Sequence, residues 1–179
     1  MNSKATIIGL CGSSGSGKTL ASQKLVQELR TGNIECCGFV SPAVFEGTKK
    51  TAIKVQWLES GDEKVLMTPV TAESQFTVGR WQIHPDAFEW IDKMLTSLKV
   101  CQAFFCDEIG PLEVQQGKGW IRALEVVDDR KADLYVLTFR PTLQEFFRKR
   151  YPEMTLYNLD SNGEDLKVIF DVKSLFGIG

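Results

Sequence analysis

The chain has 179 residues, 43% of them hydrophobic and 25% charged, with a formal net charge of -2. Length and apolar fraction suit a single domain over 1–179 with a core of its own, and they exclude a disordered chain or a fibrous repeat. The slight acidic balance argues against a general nucleic-acid binder, which carries a basic excess. In chain order, Ala5 to Cys11 is a continuous apolar run, as in a strand buried on both faces of a parallel sheet. A glycine-rich loop follows. Ala21, Leu25, Val26 and Leu29 then recur at helical spacing, and Gly32 supplies a stop.

The next stretch reads as strands. Cys36 to Val40 is one, and Thr51 to Leu58 alternates, with Ile53, Val55 and Trp57 on one face. Val65 to Met67 follows a Gly61-Asp62 turn. We therefore expect a β-rich insertion over 35–83, after the first helix. A helix starts near Pro85, with Phe88, Ile91, Met94, Leu95 and Leu98 inward. Val100 to Cys106 is a second core strand that ends at Asp107-Glu108. A helix is expected from about Lys118 to Asp129, a third core strand from Leu134 to Phe139, and a short helix after Pro141. Thr155 to Leu159 and Asp165 to Leu175 close the chain. This alternation predicts an α/β fold: three layers around a mainly parallel central sheet.

Five cysteines (Cys11, Cys36, Cys37, Cys101, Cys106) form no C-x-x-C pair, and His84 is the single histidine. That set is too poor for structural zinc, so the cysteines read as small buried hydrophobes in a reducing compartment. The apolar run after Met1 is shorter than a signal peptide needs, and no later run approaches membrane-spanning length. A cytoplasmic protein with no membrane or nucleic-acid partner is expected. The sequence leaves open whether it has a protein partner.

The chemistry starts at Gly12-Ser13-Ser14-Gly15-Ser16-Gly17-Lys18-Thr19, which fits the phosphate-loop pattern G-x-x-x-x-G-K-[ST] at every position. Its glycines let backbone N–H groups turn inward around a phosphate chain, and the following helix adds its positive end. Lys18 is placed to reach the β- and γ-phosphates, and Thr19 to put its hydroxyl on Mg²⁺. The second metal contact should be an aspartate at the end of a neighbouring strand, which is where Asp107 stands. Alternation along the strand sends Glu108 the other way, where a carboxylate beside the γ-phosphate can orient and deprotonate water.

These motifs resemble a known family. The loop G-S-S-G-S-G-K-T, C-G-F-V-S-P-A-V (Cys37 to Val44), V-G-R-W (Val78 to Trp81) and D-E-I-G-P-L-E (Asp107 to Glu113) are similar to the THEP-type nucleoside-triphosphatases, also called the cancer-related family. The likeness runs from about Lys4 to Asp160. It implies a RecA-like P-loop fold and Mg²⁺-dependent removal of the terminal phosphate from ATP, GTP and other triphosphates, with broad base tolerance. Many family members carry Lys where this chain has Pro111. If that lysine touches phosphate, its loss here either lowers activity or shifts the role to Arg80, Lys118 or Arg140.

Among these, Arg140 follows the third core strand and is the candidate for meeting charge on the transferred phosphoryl group. Thr138 beside it is a candidate to sense the γ-phosphate or orient water. Two other readings compete with hydrolysis. One is a P-loop kinase with Arg148-Lys149-Arg150 as its lid. The other is a non-catalytic nucleotide switch or coupling subunit, which the lack of N-K-x-D and L-S-G-G-Q segments disfavours. His84, before Pro85, reads as a helix cap rather than a base.

Overall fold

The computed structural model describes residues 5–110 and 120–179. Strands β1 (Thr6–Cys11), β2 (Cys36–Val40), β8 (Cys101–Ile109), β9 (Ala132–Phe139) and β10 (Thr155–Asn158) form the parallel part of one sheet. Between β2 and β8 in the chain come β3 (Ala43–Glu46), β4 (Lys49–Trp57), β5 (Glu63–Pro69), β6 (Thr77–Val78) and β7 (Trp81–Ile83). The sheet runs β10-β1-β9-β8-β2-β4-β5-β7-β6, with β3 paired to β4. β2 is parallel to β8 and antiparallel to β4, so it joins the two parts.

Helices α1 (Lys18–Thr31), α2 (Pro85–Thr96), α3 (Ile121–Asp128), α4 (Gln144–Arg150) and α5 (Glu164–Leu175) cover both faces. The division follows from the two-residue period of a strand. Ile8, Leu10, Phe105 and Val136 point to one side and pack with Leu25 and Leu29 of α1 and Val168 and Val172 of α5. Their neighbours Ile7, Cys11, Phe104, Cys106 and Tyr135 point to the other, against Ile91 of α2, Leu124 of α3 and Phe147 of α4. A run that is apolar at every position is thus buried twice over, and this makes the three layers.

The expected helix near Pro85 is present, with Pro85 at its first turn and His84 at the N-cap. The His84 ring faces Thr68 Oγ1 at 2.9 Å. The described part of the next helix begins at Ile121; its expected start at Lys118 lies outside the described residues, as does Pro111. All five cysteines are buried, as expected, but not all are free thiols. Cys37 on β2 and Cys101 on β8 form a disulfide, while Cys11, Cys36 and Cys106 are not disulfide-bonded. The pairing arises because two strands 64 residues apart in sequence become neighbours in the sheet, which no cysteine spacing could announce. Among the described residues, no helix is long and apolar enough to cross a membrane.

Candidate active site

β1 ends at Cys11 and the loop 12–17 delivers the chain to α1. Gly15 (φ +85°) and Gly17 (φ +89°) take left-handed backbone angles that a side chain would strain, so the loop can wrap tightly around the helix start. Lys18 is 5% exposed and folds back, its ammonium donating to Gly12 O at 2.8 Å and Ser13 O at 2.7 Å. Burial lowers its pKa, opposed by the carboxylates of Glu108 and Asp107.

Because β9 lies between β1 and β8, its C-terminal end sits beside both the phosphate loop and the Asp107 strand. Gly12 N–H donates to Phe139 O at 3.3 Å, tying loop to strand. Asp107 is 1% exposed and is held at each oxygen. Thr138 Oγ1 donates to Oδ1 at 2.6 Å, and Ser41 N–H donates to Oδ2 at 2.9 Å.

Glu108 departs from the expected alternation. β8 does not stop at Cys106 but continues to Ile109, with its register against β9 shifted between Cys106 and Ile109. Glu108 is the irregular residue, at φ +64°, with its N–H donating to Thr138 Oγ1 at 2.6 Å. A bulge, rather than the pleat, therefore aims its side chain. No hydrogen bond or ion pair holds that carboxylate among the described residues. Burial raises its pKa above the ordinary 4.5, and the Asp107 charge adds to the rise, while Arg140 and Lys18 oppose it. Lys18, Glu108 and Arg140 line one cavity together. The sequence-nominated Arg140 is exposed, and its guanidinium has no ion pair among the described residues.

The other nominees go elsewhere. Thr138 is fully buried, and its hydroxyl serves Asp107 and the Glu108 backbone, not open space. Arg80 lies over the Trp81 ring at 5.6 Å. Arg150, at the far end of α4, is bound to Asp128 and Tyr151, which leaves it unsuited to a lid. Lys118 lies outside the described residues.

Two residues were not singled out from sequence. The Asp160 carboxylate, in the β10–α5 loop, accepts from Ser13 N–H at 3.0 Å and from the Ser13 hydroxyl at 3.0 Å. Ser41, within the C-G-F-V-S-P segment, is 4% exposed and its hydroxyl is unpartnered beside Asp107. The donor set suits magnesium, which takes few carboxylates together with substrate phosphates: Asp107 supplies carboxylate oxygen, the Thr19 hydroxyl is uncommitted among the described residues, and Ser41 leaves an orphaned hydroxyl close by.

Fold and loop together define a P-loop nucleotide-binding α/β protein. Comparison with known proteins narrows the class. A family model described as NTPase matches residues 7–168. A nucleoside-triphosphatase THEP1 from Ignicoccus hospitalis is 30% identical over 141 residues, 79% of this chain and 80% of its own. One from Thermofilum pendens is 29% identical over 124 residues, 68% of each chain. The solution structure of a human cancer-related nucleoside triphosphatase superposes with a TM-score of 0.73 at 19% identity, covering 96% of this chain and 97% of that one. The crystal structure of THEP1 from Aquifex aeolicus gives 0.69 at 20% identity, covering 96% and 99%. The chain belongs to the THEP1 nucleoside-triphosphatase family.

Proposed function

We propose that the protein hydrolyses nucleoside 5'-triphosphates, ATP and GTP among them, to the diphosphate and phosphate in a Mg²⁺-dependent reaction. The supporting observation is the Glu108 carboxylate: without a hydrogen bond or ion pair among the described residues, aimed by a bulge, and sharing its cavity with Lys18 and Arg140. In this reading the loop Gly12, Ser13, Ser14, Gly15, Ser16, Gly17, Lys18 and Thr19 cradles the phosphates. Lys18 leaves its two carbonyl partners for the β- and γ-oxygens, an exchange of one set of acceptors for another. Thr19 and Asp107 would hold magnesium, which would supply charge neutralisation for the phosphate chain. Glu108 orients a water and takes its proton as the bond to the γ-phosphorus forms. Arg140 meets the charge on the transferred group.

Broad base tolerance follows from the cleft we assign to the nucleoside. It holds about 270 Å³ between α1 and the β10–α5 loop, lined by Leu20, Lys24, Leu159, Ser161, Asn162 and Asp165. Lys24 and Asp165 face each other there at 3.8 Å, so these two charged ends are turned to one another rather than to a base. We read 1–179 as one domain, with 35–83 as a β-rich insertion whose first strand is shared with the parallel sheet, working in the cytoplasm without nucleic acid or membrane. Phosphate release from purified protein, Mg²⁺ and ATP alone tests the reading. Release that needs an added acceptor, or that survives chelation of the metal, contradicts it.

A further inference from the structure

Across the phosphate loop from the nucleoside cleft lies a second cavity of about 160 Å³. Its walls are apolar: Leu66 and Met67 of β5, Val78 of β6, Phe88 of α2, Trp120 and Phe139. Its polar part is made by Lys18, Glu108 and Arg140. The aromatic wall is preformed, since Trp120 stacks on Phe88 with ring centroids 4.8 Å apart and is backed by Phe39 at 4.5 Å. An apolar cavity of about 150 Å³ is large enough for benzene. Water and phosphate, the two small species hydrolysis handles, gain nothing from such walls. A concave apolar chamber with a few convergent polar groups is the form of a site for an organic molecule.

The charges limit what that molecule is. With Lys18 and Arg140 turned to the triphosphate, Glu108 is the charge left facing an organic molecule; it repels a carboxylate, while a neutral hydroxyl can donate to it, since no hydrogen bond or ion pair holds that carboxylate among the described residues. We propose that this cavity binds a small aromatic alcohol, its ring against Phe88 and Trp120 and its hydroxyl at Glu108, and that the protein transfers the terminal phosphoryl group to it. The alcohol oxygen forms a bond to the γ-phosphorus, the bond from that phosphorus to the β–γ bridging oxygen breaks, the hydroxyl proton passes to Glu108, and the diphosphate leaves. The inference rests on the reading of the phosphate loop as the triphosphate site. It makes the strands β5 and β6 one wall of an acceptor site instead of a mere extension of the sheet.

Benzyl alcohol is the probe. With the full chain, Mg²⁺ and ATP, ³¹P NMR should show benzyl phosphate beside inorganic phosphate, their sum equal to the ADP formed. Val78, 49% exposed at the rim, allows a variant that fills the cavity without disturbing the core. Val78→Trp should lower ester formation about ten-fold or more while phosphate release without alcohol stays within about two-fold of the parent. ADP matched by inorganic phosphate alone in the presence of benzyl alcohol overturns the acceptor site and leaves hydrolysis standing. Ester formation undiminished in Val78→Trp overturns the assignment to this cavity. If neither product forms, the triphosphatase reading itself fails.

Discussion

The Thr138 hydroxyl stands between Asp107 and the backbone of Glu108, donating to Asp107 Oδ1 at 2.6 Å and accepting Glu108 N–H at 2.6 Å. One buried side chain thereby fixes both the carboxylate assigned to the metal and the bulge that aims the carboxylate assigned to water. Strand β9 holds it at this point because its end sits directly beside β8.

Thr138→Val keeps the shape but removes both hydrogen bonds, leaving a buried carboxylate oxygen and a buried N–H without partners. Such losses cost roughly 1–3 kcal/mol. Denaturant unfolding should show a loss of that size, and kcat should fall further than the KM for ATP rises. Thr138→Ser, which restores the hydroxyl, should recover most of both; if it behaves like the valine variant, the positioning role is wrong.

Asp160 fastens the first turn of the phosphate loop to the β10–α5 loop through Ser13, across 147 residues of sequence. Asp160→Ala should raise the KM for ATP about ten-fold or more with kcat within about two-fold, the scale of one charge-assisted hydrogen bond. Asp160→Asn keeps an acceptor for Ser13 and should lie near the parent. Equal effects from the two substitutions would point to charge instead of the contact.

Glu108 gives a pH dependence with a definite sign. Burial raises its folded-state pKa above the ordinary 4.5, so the acid limb of the rate profile should lie above the usual carboxylate range. Lys18, lowered from 10.5 by burial, brings the alkaline limb down in turn. For stability, a carboxyl with a raised folded pKa binds its proton more tightly in the native state, so its contribution falls as pH rises from the unfolded value through the folded one. Glu108→Gln should therefore melt higher than the parent at neutral pH, and the gap should close below the unfolded-state pKa.

Gly38 explains the glycine of C-G-F-V-S-P. Its φ is +91°, and a Cβ there would stand 2.1 Å from Phe105 O on the neighbouring strand. Gly38→Ala combines a left-handed angle with a backbone clash and should cost at least about 2 kcal/mol, lowering the melting temperature by roughly 4–8 °C. A melting temperature within a degree of the parent would contradict this.

The layered architecture was legible because Ile7–Cys11, Phe104–Cys106 and Leu134–Leu137 hold only hydrophobic residues and glycine, the pattern of strands covered on both faces. The loop between β1 and α1 was legible because its motif has a fixed spacing, and Asp107 was nominated from its place after an apolar strand. Glu108 was nominated on a geometric ground that the structure replaces: alternation was to aim it, while the bulge that orients it has no signature in D-E-I-G. Thr138 was nominated as a sensor because sequence gives position along a strand and not the partner of a hydroxyl. Asp160 and the Cys37–Cys101 pair escaped because both depend on contacts between distant segments, and Ser41 passed as one letter of a motif.

The central claim is that Glu108 takes the proton of the attacking water. Glu108→Gln should be compared with the parent in phosphate release under saturating Mg²⁺ and ATP, with nucleotide affinity measured in parallel. A general base contributes about 10²–10⁴-fold, so release should fall at least about a hundred-fold while affinity changes by less than about three-fold. Undiminished release with intact binding would contradict the account and move the base to another residue.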